Sequence, residues 1–347
     1  MITVASKLTQ LLGTQFPLVL GPMAGAGGGK LAGEVSAAGA FGFLSGSGYG
    51  VTVASFQEEL SLAQSALVEQ GHFNLPIGVG FLVWQLEQPN SPFVELLRIA
   101  LDNNVQAIWL SFGSDFPEWI RFIRQYDKGK GKPKTLIFVQ ISSIQQALTA
   151  ALEWGVDVIV AQGIESGGHG ASNALPVVNL VSSILDAIPP DGPLVLAAGG
   201  LANGGHIASM LTLGAEGVVL GTRFLLANES LYNAVQKQAL LSAKSDSTLR
   251  SLAWDYARQT LGWPVGIDGR GLRNSIVDDF ENGVSVQLLQ QSLRKGVEME
   301  DADRMIIWAG TGVGQMNEIL PAKVIVEQLR EDCIQHLAKA SQLYSSA

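Results

Sequence analysis

The chain has four histidines, and one of them, His169, stands where an imidazole could act on a substrate. It lies in the run QGIESGGHGASN (162–173), with glycine on either side and Glu165 four residues earlier. Imidazole titrates near neutral pH, so a histidine in an open, glycine-rich loop is a candidate general base. The same position also suits a ring that only bonds to nearby backbone, and position alone does not separate the two. His72 falls in a polar turn, His206 at the start of a helix, where it could sit near an anion or on the surface, and His336 in the last helix.

Other positions offer backbone rather than side-chain chemistry. Gly199 and Gly200 in AAGGLANGG (197–205) lead toward a helix with Asn203 as its N-cap, and Gly221 and Thr222 open GTRF (221–224). Free N–H groups next to a helix start make an anion site, though glycine pairs also serve plain tight turns. The run GPMAGAGGGK (21–30) has only small residues after Pro22 and Met23, so backbone there can approach a flat ligand. Its spacing is not the GxGxxG of dinucleotide sites. There is no HExxH, no GxSxG and no metal-ligand spacing, and Cys333 is the single cysteine. The chemistry is therefore expected from a phosphate-bearing cofactor, with no metal.

The elements that must hold these residues follow a repeated boundary. Four times an amphipathic segment ends in Gly39, Asn104, Gly155 or Gly214 and then runs into an apolar stretch. Those residue types suit the left-handed position that closes a helix. The stretches are continuously apolar, as in parallel strands covered by helices on both faces. In 143–155, Ile144, Ala147, Leu148, Ala151 and Leu152 keep the helical period. Strands are expected at 17–23, 41–47, 76–83, 107–112, 135–141, 158–162, 193–198 and 217–224, with the eighth helix at 230–242. Eight βα units predict an α/β fold of the (β/α)8 TIM-barrel type, with an open doubly wound sheet as the alternative. In such a barrel the loops after the seventh and eighth strands form the phosphate site, which is where Gly199, Gly200, Gly221 and Thr222 fall.

Residues 1–242 and 303–347 are assigned to the barrel, and 243–302 to an insertion or lid. The insertion reads as mostly helical, with Trp254, Trp263 and the loop GIDGRG (266–271) as landmarks. Pro321 opens a final helix. Across 347 residues, 47% are hydrophobic and 15% charged, enough apolar material for a large core. A net charge of −9 disfavours nucleic acid and anionic membrane as partners. With one cysteine and with Lys7 and Gln10 interrupting the first apolar residues, a cytoplasmic location is expected.

The segments GPMAGAGGGKLAGEVSAAGAFGFL, VAQGIESGGHG, LAAGGLANGGHIASMLTLGAEGVVLGTRFL and WAGTGVG together resemble the nitronate monooxygenase family, formerly 2-nitropropane dioxygenases. The resemblance spans residues 15–242 and about 303–340. It implies an FMN-dependent barrel that oxidises alkyl nitronates, and nitroalkanes, with dioxygen to a carbonyl compound and nitrite, acting as a monomer or homodimer. It implies that Pro22, Met23 and Ala24 line the flavin ring, and that Gln140, Gln162, Gly167 and Gly168 also contact it. Ala198, Gly199, Gly200, Gly221 and Thr222 would hold the phosphate, and His169 would be the catalytic base. Gln140 takes a position where some relatives have lysine, and Gly80 one where many have asparagine. NAD(P)H-dependent flavin reductases of the same superfamily, acting on quinones or enoyl-ACP, share these signatures. A clamp for the adenosine phosphate of NAD(P)H has only Arg223, Arg270 and Arg273 as nearby candidates.

Overall fold

Every apolar run expected to be a strand is one, and the eight close on themselves. A computed structural model describes residues 3–69 and 75–343, so His72 lies outside the described residues. In chain order the strands are β1 (Leu18–Leu20), β2 (Phe41–Ser45), β3 (Ile77–Leu82), β4 (Ala107–Ser111), β5 (Leu136–Ile141), β6 (Val158–Gln162), β7 (Gly168–Ala171), β8 (Leu194–Ala198), β9 (Gly217–Leu220), β10 (Thr248–Ser251) and β11 (Ile267–Leu272). The closed parallel barrel runs β1-β2-β3-β4-β5-β6-β8-β9, and β9 pairs back onto β1 with Val219 opposite Val19. Closure excludes the open doubly wound alternative. The eighth barrel strand is shorter than expected: it ends at Leu220, and Thr222–Leu225 turns into a helix.

The helix-closing residues take the conformation their types favour. Gly39, Asn104, Gly155 and Gly214 have φ of 90°, 55°, 67° and 114°, the left-handed region in which glycine and asparagine carry the smallest penalty. Before Gly155, the helix begun at Ile144 and capped by Ser143 widens into a π turn over Ala150–Trp154. Asn203 caps the helix Gly204–Leu213, its side-chain oxygen accepting the His206 N–H at 2.9 Å.

Inside the barrel, Phe41, Phe43, Trp109 and Phe138 are buried and interlock. Phe43 meets Trp109 and Phe138 edge to face, with centroids 5.2 and 5.1 Å apart. Gly78 makes room for this: a Cβ there would lie 2.1 Å from the Phe43 ring. Leu8 and Leu12, from the helix Lys7–Leu12, join the lower end of this cluster. These side chains fill the barrel interior, which leaves the C-terminal rim for a ligand.

Residues 243–302 depart from the helical expectation. They hold the helices Ala253–Arg258, Ser275–Glu281 and Val286–Glu298, but also β10 and β11. These two strands form an antiparallel sheet with β7, in the order β10-β11-β7. The expected GIDGRG loop is therefore mostly strand, and the expected loop around His169 is strand β7. Glycine-rich segments have weak strand propensity; here the glycines are required by packing, since a Cβ on Gly269 would lie 2.4 Å from the Trp308 ring. No helix among the described residues is long and apolar enough to cross a membrane.

Two consequences can be measured. Phe138→Ala removes a fully buried ring from the barrel interior and should destabilise the fold by about 3–5 kcal/mol, read from the urea midpoint. His206 accepts the Ala202 N–H on Nδ1 at 3.1 Å, and burial holds its imidazole below the usual histidine range against a smaller opposing pull from Asp332. Its contribution to stability is complete above the unfolded-state pKa of about 6.5 and is lost as pH falls below it. His206→Asn keeps an acceptor but does not titrate. Its melting temperature should fall less than that of the wild type between neutral and acid pH.

Candidate active site

At the C-terminal ends of the barrel strands lies a cavity of about 240 Å³, far above the roughly 10–15 Å³ that a single water needs. All thirteen residues singled out above line it: Pro22, Met23, Ala24, Gln140, Gln162, Gly167, Gly168, His169, Ala198, Gly199, Gly200, Gly221 and Thr222.

One part of the wall is built from backbone. Gly199 and Gly200 have φ of 120° and 67°, which turn the chain sharply as it leaves β8. The N–H groups of Gly199, Gly200, Gly221 and Thr222 donate to no acceptor among the described residues. The Thr222 hydroxyl accepts the Gly310 N–H at 3.0 Å, and Thr311 N–H bonds to the Glu165 carbonyl at 3.0 Å. The late WAGTGVG segment is thereby drawn against the cradle, and Gly310 and Gly312 line the cavity.

From β5, the Gln140 amide donates to Gln162 Oε1 at 2.9 Å, and the Gln162 amide donates to the His169 carbonyl at 3.2 Å. This chain ties two barrel strands to β7. Gly80 faces Pro22, and a Cβ there would lie 2.6 Å from that ring. Any larger side chain at position 80, asparagine included, would require the first loop to move.

His169 stands at a different wall, supplied largely by residues 243–302. Its side chain is 13% exposed, and Nε2 lies 2.9 Å from Oδ1 of Asp255, whose side chain is 1% exposed. Asp255 Oδ1 also accepts the Thr260 hydroxyl at 2.8 Å. The imidazole lies nearly parallel to Trp263, with centroids 3.7 Å apart, and is tilted against Trp308 at 5.1 Å. Arg258, Thr260, Trp263 and Trp308 line the cavity as well. Tyr232 lines it too: burial raises its phenol far above the ordinary value, and its oxygen accepts the Trp308 N–H at 2.9 Å. Tyr49 donates to the Leu261 carbonyl at 2.8 Å, and its phenol is raised by burial and then by Asp255.

Sequence reading missed Asp255, Arg258 and Thr260 and took Trp263 only as a landmark, because residues 253–263 show no motif that marks a functional role. The WAGTGVG glycines were the one available signal for the late segment. The three arginines weighed as a clamp are otherwise engaged. Arg223 is buried and donates to the Glu318 carbonyl at 3.1 Å. Arg270 donates to Thr248 and to the Ile164 carbonyl, and Arg273 pairs with Asp278 and Glu281.

Three buried polar atoms on the cavity wall, Ser166 Oγ, Trp109 Nε1 and Trp263 Nε1, have no partner among the described residues. Together with the unpaired N–H groups they form a donor set suited to a phosphate-bearing, partly polar ligand.

A family model described as nitronate monooxygenase matches residues 82–332. The nitronate monooxygenase of Neurospora crassa is 32% identical over 350 residues, covering 94% of this chain and 91% of that protein. A nitronate monooxygenase of Metarhizium robertsii is 32% identical, covering 92% of this chain and 91% of that protein. Among solved structures, a nitroalkane oxidase from Streptomyces ansochromogenes is similar at a TM-score of 0.78 and 25% identity, covering 96% of this chain and 100% of that one. FabK from Thermotoga maritima is similar at 0.77 and 27% identity, covering 99% and 100%.

Proposed function

The chain belongs to the nitronate monooxygenase family of oxidoreductases, and from that premise we propose that it binds FMN and oxidises alkyl nitronates with dioxygen to a carbonyl compound and nitrite. The observation that carries the proposal is one cavity holding both a row of unpaired backbone N–H groups and a histidine. Gly199, Gly200, Gly221 and Thr222 would hold the FMN phosphate. Pro22, Met23 and Ala24 would line its ring by backbone, with Gln140, Gln162, Gly167, Gly168 and Ala198 completing the contacts. Bound there, FMN would supply an electron-accepting ring between the nitronate and dioxygen.

The protein's own part is to bind, orient and move a proton. Arg258 brings a positive charge to the cavity, which suits an anionic nitronate. His169 would take the α-proton of a neutral nitroalkane or orient a nitronate already formed. Trp263, Trp308 and the insertion as a whole, 243–302, would cover the cavity and limit water.

The purified protein should be yellow and should release FMN on denaturation, and a colourless protein that fails to take up added FMN overturns the reading. Gly221 is the better position for a blocking variant. Its φ is −113°, and a Cβ there would meet only Met23 Sδ, at 3.5 Å. Gly221→Val should therefore keep the fold and lose flavin. At Gly200 the left-handed φ and contacts with Glu165 and Thr311 at 2.8 Å would disturb the backbone itself.

A histidine in a loop would contribute little to packing, but His169 is neither in a loop nor loosely packed. Removing it strands the buried Asp255 carboxylate, a change that costs on the order of 3–5 kcal/mol. His169→Gln is the better test, because an amide can still donate to Asp255. It should keep FMN and lose about 10²–10⁴-fold in turnover of neutral nitroalkane, with much less loss on preformed nitronate. Equal losses on both overturn the role as base. In a separate anaerobic mixing experiment, rapid bleaching of the wild-type flavin by NADH or NADPH would favour a reductase instead.

A further inference from the structure

Asp255 is separated from His169 by 86 positions, yet both of its carboxylate oxygens face the imidazole, Oδ1 at 2.9 Å and Oδ2 at 3.1 Å from Nε2. A carboxylate can only accept, so Nε2 carries the ring hydrogen and the lone pair is on Nδ1. Nδ1 has no partner among the described residues, and His169 lines the cavity. The stack on Trp263 fixes the plane of the ring, and the bond to Asp255 fixes its rotation. The Thr260 hydroxyl in turn holds Oδ1. Tautomer, plane and rotation are therefore all set from the insertion, none of them from the barrel.

We propose that Asp255 is the positioning residue of the site: it holds His169 as the Nε2–H tautomer and makes Nδ1 the atom that receives the substrate's α-proton. The inference rests on His169 acting as base. In that step a bond forms between Nδ1 and the α-proton, and the C–H electron pair stays on the substrate as the nitronate. The imidazolium so formed faces the Asp255 carboxylate, which balances its charge until the proton leaves to solvent. No oxidant enters this step. Arranging the pair in advance lowers its cost, because the carboxylate is already desolvated and oriented.

The test is the ring ¹⁵N spectrum of His169 in the purified protein, assigned by its loss in His169→Gln, at a pH where the ring is neutral. With four histidines in the chain the spectrum is sparse. The wild type should show hydrogen on Nε2; hydrogen on Nδ1 overturns the proposal without any variant. In Asp255→Asn the Thr260 hydroxyl keeps the amide oxygen at the Oδ1 position, so the amide nitrogen takes the Oδ2 position and donates to Nε2. The ring hydrogen should then move to Nδ1, and turnover of neutral nitroalkane should fall on the order of 10²–10⁴-fold. Preformed nitronate, which needs no deprotonation, should be affected much less. An unchanged tautomer with unchanged nitroalkane turnover overturns the proposal. A reversed tautomer with equal losses on both substrates upholds Asp255 as the residue that sets the ring and overturns the base role of His169 instead.

Discussion

Strand β7 leaves the barrel carrying His169, and its backbone is held by antiparallel pairing with β11, which sets Gly269 opposite His169 and Arg270 opposite Gly168. Arg250 from β10 reaches across this sheet, bonding to the Gly170 carbonyl and to Asp268. The pairing decides where everything else at that wall can be. It ties residues 243–302 to the rim of the barrel and brings Ala253–Arg258 to the imidazole, which gives Asp255 a buried partner. A carboxylate 1% exposed is tolerated only with donors on its oxygens. Here the donors are His169 and Thr260, one from each side of the junction.

The two walls of the cavity work by different physics. The barrel wall uses backbone N–H groups whose directions are set by the parallel strands and by two glycines in left-handed geometry. Such donors do not titrate and need no side-chain ordering. The insertion wall uses titratable, aromatic and charged side chains, which must be locked by packing before they are useful. His169 sits at the seam: its backbone carbonyl accepts from Gln162 on the barrel side, and its ring is bonded to Asp255 on the other. Loss of the insertion's packing would thus loosen the imidazole while leaving the glycine cradle intact.

The filled barrel explains why the cavity is confined to the rim. Phe41, Phe43, Trp109 and Phe138 occupy the interior. Of these, Trp109 also lines the cavity and leaves its indole N–H unpaired there. The core thus ends in a surface that still has hydrogen bonds to give.

Most of the barrel was legible in the sequence because its signals are local. A continuous apolar run, a helix of period 3.6 and a closing glycine or asparagine lie within a dozen residues of one another, and each is dictated by the nearest backbone. The glycine cradle was legible for the same reason, since Gly199, Gly200, Gly221 and Thr222 advertise themselves by type and by the strand they follow. The insertion's strands were not legible, because Gly269 and Gly271 lower strand propensity and are kept only by their fit against Trp308 and Ile307. Nor was Asp255, one of many acidic residues in the chain, since nothing within its own helix distinguishes it. Its place beside His169 depends on pairing between segments far apart in sequence, and only tertiary structure creates that proximity.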